Sequence, residues 1–198
     1  DRHDPGGGVE NFVPSIGLLS GFVAIVAILI GVTAGTGDLR AGVFRELVIT
    51  GRSRLSLFAA RIPGGLALLL PFAAAGFLTA AVASIVLAGG EPTPGFRLLV
   101  LTGAWIGLAA ALTFLLALGV SSVVGSTGPS VGILLGWQLL VGPLLLGIDS
   151  LGFVRDLLPG AGVTALAPEA LEVQSALSMA PAAVAALVNL RAIARLRV

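Results

Sequence analysis

Five arginines fall between Gly37 and Arg61 (GDLRAGVFRELVITGRSRLSLFAAR), in a chain where only 11% of residues are charged. They are Arg40, Arg45, Arg52, Arg54 and Arg61. Such a cluster does no covalent chemistry. It can engage a partner, or it can only fix the side of a membrane on which its loop stays. Other residue types capable of chemistry are scarce. Every Lys/Arg position is Arg, so a phosphate-binding GxxxxGK[ST] loop is absent and ATP hydrolysis by that route is excluded. The run GSTGPSVG (125–132) resembles such a loop only in its glycines and reads as a turn. With no Cys and one His, His3, neither thiol chemistry nor a His/Cys metal site is available. HExxH and GxSxG are both missing. A net charge of +1 is too weak to suggest nucleic acid.

The elements that must position the arginines are apolar. Hydrophobic residues make up 57% of the chain and the mean hydropathy is +1.08, more apolar surface than a soluble domain of this size can cover. Residues 11–37, 62–90, 98–148 and 173–190 carry no charge. One membrane-crossing helix takes about 20 residues, and the third run is long enough for two. The expected fold is therefore all-α: a polytopic membrane helix bundle with about five spans, near residues 12–34, 62–87, 98–120, 131–148 and 173–190, in one domain. Pro14 and Pro63 fall at span starts, where proline is tolerated, while Pro71 and Pro181 lie inside. Turns are expected at GGEPTPG (89–95) and GSTGPS (125–130).

Charge bias orients the bundle. Placing loop 37–61 in the cytoplasm puts Arg40, Arg45, Arg52, Arg54, Arg61, Arg191, Arg195 and Arg197 inside. Arg2, Arg97 and Arg155 then lie outside. Residues 1–10 then lie outside and the C-terminus inside, in a multi-pass protein of the cytoplasmic membrane. A chain that opens at Asp1, with Met179 as its sole methionine, reads as a piece of a longer protein with a sixth span upstream. In the outer segment 149–172, LGFVRDLL (151–158) has the pattern of an amphipathic helix, either surface-lying or re-entrant, or packed as an ordinary loop helix.

Polar residues within the spans are few. Gln138 and Asn189 are the largest, with Thr79, Ser84, Thr102 and Thr113 smaller. One reading is a substrate path lined by Trp105, Trp137, Gln138 and Asn189. The other is hydrogen bonding between helices and anchoring at the lipid interface. GxxxG pairs occur at Gly17/Gly21, Gly31/Gly35, Gly103/Gly107, Gly128/Gly132 and Gly132/Gly136, and about four are expected by chance from 28 glycines. Their number is no signal.

The arginine segment itself divides in two. Asp38–Ile49 can form an imperfect amphipathic helix, with Leu39, Val43, Phe44, Leu47 and Val48 on one side and Arg45 and Glu46 on the other. Thr50–Gly51 breaks it, and Ser53 is placed to cap a next helix running through Leu55–Phe58 into the second span. The plainer alternative is a cytosolic loop whose arginines only fix topology.

The arrangement D-x-R-x-G-x-F-R-x-L-x-x-T-G-R-S-R-x-x-L-F-x-A-R (Asp38–Arg61) resembles the permease subunits of type-2 ABC exporters. GILLGWQLLVGPLLLG (132–147) followed by LGFVRDLLP (151–159) resembles the later part of the same permeases. The resemblance runs from about Phe12 to Arg197 and rests on degenerate motifs in a matching order. It implies a six-span permease that works as a dimer with a second copy, homo- or heterodimeric, and docks an ABC ATPase from the cytoplasm. It implies that Phe44, Arg45 and Glu46 lie on the ATPase-facing coupling helix, and that Arg52 and Arg54 anchor the turn beyond it. It also implies that Leu151–Leu158 is the outer re-entrant helix, and that ATP and Mg bind the partner, with no cofactor on this chain. The first span and the interfacial helix before it have no counterpart here. Two other readings stay open: an ion-coupled or facilitative carrier, and a membrane assembly or sensor subunit without transport. Ion coupling is disfavoured because no charged residue lies within a predicted span.

Overall fold

The computed structural model describes residues 7–40, 54–142 and 144, with side chains for 7–37, 59–142 and 144. Among these residues the chain is helical: α1 (Gly8–Arg40), α2 (Arg54–Val86), α3 (Phe96–Val124) and α4 (Thr127–Gly136), followed by a π-helical stretch, Trp137–Val141. It falls into two compact units, Asp1–Leu135 and Gly136–Val198.

Three helices are long and apolar enough to cross a membrane: Gly8–Gly37, Ala59–Val86 and Phe96–Val124, of 30, 28 and 29 residues. At 1.5 Å per residue each reaches about 42–45 Å, longer than the hydrocarbon core of roughly 30 Å. These are the first three expected spans. Of the expected fourth span, 131–148, the part up to Val141 lies in an apolar helical segment, Thr127–Val141, shorter than the three long helices; most of the rest, the fifth span and helix 151–158 lie outside the described residues.

The helices are apolar on every side, as membrane helices are. Leu18 and Phe22 of α1 are 70% and 65% exposed, while Phe12, Ile16, Ala27 and Val32 are fully buried. The inward faces mix such large side chains with small ones that let the backbones approach. The inward stripe of α1 carries Ala24, Ala27, Gly31 and Gly35, and that of α3 carries Ala110, Ala117 and Ser121. Lipid is as apolar as a leucine side chain, so close packing, not exclusion from water, must hold such a bundle.

α1, α2 and α3 pack pairwise, with α1 against α3 the most extensive seam. α1 and α3 run parallel and α2 antiparallel to both. At one end the Val9 amide donates to the Pro92 carbonyl at 2.9 Å, bringing the start of α1 to the α2–α3 turn. Gly89 and Gly90 take positive φ in that turn. About one turn further along α1, Phe12 meets Phe77 edge to face at 6.4 Å. The Phe77 ring covers Gly103, and Leu19 covers Gly76. Nearer the other end the Phe114 ring lies on Gly65, where any Cβ would collide with it.

Between α3 and α4 the chain reverses in two residues. Gly125 takes φ 71, and its amide donates to the Ser121 carbonyl, closing α3 with a left-handed cap. The turn expected over 125–130 is thus shortened, because Thr127–Ser130 already belong to α4. α4 runs back along the α1–α3 seam: Leu134, Val131 and Leu135 pack on Ile28, Val32, Ala117 and Val120.

One proline placement is corrected: α1 begins at Gly8, so Pro14 lies inside a helix and not at its start. α2 begins at Arg54, next to Ser53 and ahead of the second span as expected, so Pro63 at the start of that span lies inside a helix, as Pro71 does. Charge-free runs mark where a span can lie in lipid; the helices continue beyond it. Likewise Asp38, Leu39 and Arg40 prolong α1 instead of starting a separate helix. The remainder of the expected Asp38–Ile49 helix lies outside the described residues.

Candidate functional site

One helical turn of α1, Gly31 to Thr36, collects polar contacts from all three neighbouring helices. From α4, the Thr127 hydroxyl lies 2.9 Å from that of Thr36. The Thr36 hydroxyl donates to the Val32 carbonyl at 2.9 Å. The Thr36 hydroxyl thus lies between the Thr127 hydroxyl and the Val32 carbonyl, at hydrogen-bonding distance from both. Thr36 is buried. From α2, Arg61 Nη1 donates to the Gly35 carbonyl at 3.2 Å. From α3, the fully buried Ser121 hydroxyl reaches the Leu118 carbonyl at 3.1 Å and the Gly31 carbonyl at 3.5 Å.

The sequence permits this because Gly31 and Gly35 carry no side chains. A Cβ on Gly31 would lie 2.7 Å from both the Ala117 methyl and the Phe114 carbonyl oxygen. A Cβ on Gly35 would overlap the Ser121 hydroxyl. The two glycines face Ala117 and Ser121, small residues at the same spacing, and the backbones close up. By contrast Gly17, Gly21, Gly107, Gly128, Gly132 and Gly136 have nothing within 4 Å of a Cβ position. Of the five GxxxG pairs, Gly31/Gly35 is the one whose two members both sit at a close approach.

Electrostatics favours the same arrangement. Arg61 is half-buried and lies against the C-terminal part of α1, where the helix dipole is negative. A hydrogen bond between membrane helices contributes about 0.6 kcal/mol on average, so each contact is modest and the set acts through convergence.

The residues expected on a substrate path are distributed as follows. Trp105 is half-buried on α3 of the first unit. Trp137 and Gln138 are adjacent and half-buried where the π-helical stretch begins, in the second unit. The Gly142 amide donates to the Trp137 carbonyl there. Asn189 lies outside the described residues. The smaller polar residues serve their own helices: Thr79, Ser84 and Thr113 donate to the carbonyls of Ala75, Ala80 and Ala109. The Thr102 hydroxyl is fully buried with no hydrogen-bond partner. A shallow apolar depression lined by Leu78, Thr79, Val82, Ala83, Val86 and Leu87 lies along the end of α2, remote in sequence from all the path candidates.

Of the expected coupling residues, Phe44, Arg45, Glu46 and Arg52 lie outside the described residues. Arg54 is the first residue of α2. Among the described residues no three His, Cys, Asp or Glu side chains gather to hold a metal. Reading the sequence missed Thr36 and Ser121 because they lie just past the ends of the expected spans 12–34 and 98–120, and Thr127 because it falls in the expected turn 125–130. The available signal was the pairing of Gly31/Gly35 with Ala117/Ser121 at one spacing on two helices. Compared with family models, curated proteins and solved structures, the chain matches none.

Proposed function

We propose that this chain is the membrane-spanning permease subunit of an ATP-driven ABC exporter. It moves a hydrophobic or amphiphilic substrate, such as a drug, a lipid or a lipid-linked glycan, while a separate ATPase subunit hydrolyses ATP. One observation carries the reading furthest. The arginine segment leaves α1 at Arg40 and enters α2 at Arg54, and both helices are membrane-length. Arg61 also bonds from α2 to the Gly35 carbonyl of α1. A partner pressing on residues 41–53 would therefore load two spans at once, which is what an ATPase must do to switch a permease between inward and outward states. Phe44, Arg45 and Glu46 would meet the ATPase, and Arg52 and Arg54 would brace the far side of the loop. A second permease copy would complete the path.

The test is co-purification with an ABC ATPase subunit, together with substrate flux in proteoliposomes, for wild type and Arg45→Ala/Glu46→Ala. Loss of both association and ATP-dependent flux in the variant is expected. Undiminished association and flux would remove the coupling role, and flux from this chain alone without ATP would favour a carrier.

A further inference from the structure

We propose that the Gly31–Thr36 turn of α1 is a mechanical joint that couples Arg61 to Thr127, so that α2 around Arg61 and the start of α4 change position together. The proposal rests on the bundle geometry and not on the permease reading. Arg61 and Thr127 hold neighbouring residues of one turn: Arg61 takes the Gly35 carbonyl and Thr127 takes the Thr36 hydroxyl. Behind them, Gly35 has no room to move toward α3, because Ser121 fills the space a Cβ would need. The turn is thus gripped from α2 and α4 and backed by α3. A displacement of Arg61 draws the Gly35 carbonyl with it. The Thr36 side chain is one peptide unit away and tied to Val32, so it must turn with that carbonyl, and its bond to Thr127 weakens. Loss of either grip frees the turn that the other depends on, which makes the two bonds cooperative and not additive.

The same geometry gives the arginines unequal roles. Arg40, Arg45, Arg52 and Arg54 are enough to keep the loop on one side of the membrane by charge alone. Among the described side chains, Arg61 is placed to hold the bundle as well.

The chain has no cysteine, so spin labels can be placed cleanly. Gly37→Cys and Gly128→Cys suit them, since both sites have open space around a Cβ position. Distances between the labels are measured by pulsed electron resonance on the full chain in lipid nanodiscs. Four backgrounds are compared: none, Arg61→Met, Thr36→Val, and both together. Ser20→Ala, which removes only a bond to the Gly17 carbonyl within α1, is the control. The joint predicts one narrow distance in the parent and the control. It predicts at least a doubling of the width in each single variant, and a double variant no broader than the wider single. Arg61→Gln, a smaller change, is read in the same way if Arg61→Met does not fold, and Arg61→Lys should restore the narrow distance. Parental width in the Arg61 variants, or additive broadening in the double variant, overturns the proposal.

Discussion

Thr36 and Thr127 are 91 positions apart in sequence, and their hydroxyl oxygens are 2.9 Å apart. The contact joins the end of the first long helix to the start of the fourth, past two intervening spans. It requires the tight reversal at Gly125, without which α4 could not begin at the level where α1 ends.

This contact can be trapped covalently. Two oxygens at hydrogen-bonding distance place two thiols within reach of a disulfide. Thr36→Cys/Thr127→Cys should therefore cross-link on mild oxidation and migrate faster on a non-reducing gel. The pair Thr33→Cys/Thr127→Cys should not, since Thr33 is exposed and bonded to the Leu29 carbonyl. Equal cross-linking of the two pairs would contradict the placement of α4.

The tight seam should discriminate among glycines. Gly35→Ala puts a methyl on the Ser121 hydroxyl and should destabilise the bundle by about 1–3 kcal/mol, the usual cost of overpacking. Gly17→Ala meets open space and should be neutral, or stabilising by roughly 0.5–1 kcal/mol through helix propensity. Ser121→Gly should recover much of the loss in the Gly35→Ala background. Unfolding in mixed micelles measures all three.

Phe114 is fully buried and its ring fills the space above Gly65. In water-soluble cores Phe→Ala costs about 3–5 kcal/mol. Here the unfolded helices remain in lipid, so the transfer part of that cost falls away and the packing part remains. Phe114→Ala should cost about 2 kcal/mol, read as a lowered unfolding midpoint, with Leu116→Ala, a 41% exposed position on the same helix, nearly silent.

Orientation has a direct check. Thr93 lies in the exposed α2–α3 turn and Gly37 near the other end of the bundle. Thr93→Cys should react with a membrane-impermeant maleimide in intact cells, and Gly37→Cys only after permeabilisation. The opposite pattern would reverse the side assigned to the arginine segment.

The long helices were legible because charges interrupt the chain at their ends, and lipid tolerates few charges between. Helix boundaries were less legible. A charge-free run ends where water begins, whereas a helix can continue past it: α1 starts at Gly8, ahead of Phe12, and Pro14 is six residues in. The start of α2 at Arg54 was legible from Ser53 beside it. The polar turn of α1 was not legible at all. Thr36 lies just past the expected span 12–34 and Thr127 in the expected turn 125–130, and nothing local in either segment points to the other. Counting GxxxG pairs could not single out Gly31/Gly35 either, since the pair matters through what faces it, Ala117 and Ser121. Trp105 lies on α3, one of the three long apolar helices, and Trp137 and Gln138 lie in the shorter π-helical stretch; their role on a path belongs to the proposal.

Pro71 gives α2 a further property. It has no amide hydrogen to offer the Ala67 carbonyl four residues before it, and its ring faces outward. Pro63 likewise offers none to the Ala59 carbonyl, between the held positions Arg61 and Gly65. α2 thus has two breaks in its own hydrogen-bond ladder, and its neighbours brace it beside each: Phe114 on Gly65 at one, Leu19 and Phe12 against Gly76 and Phe77 beyond the other. Like a jointed tent pole, it owes its stiffness to what braces it.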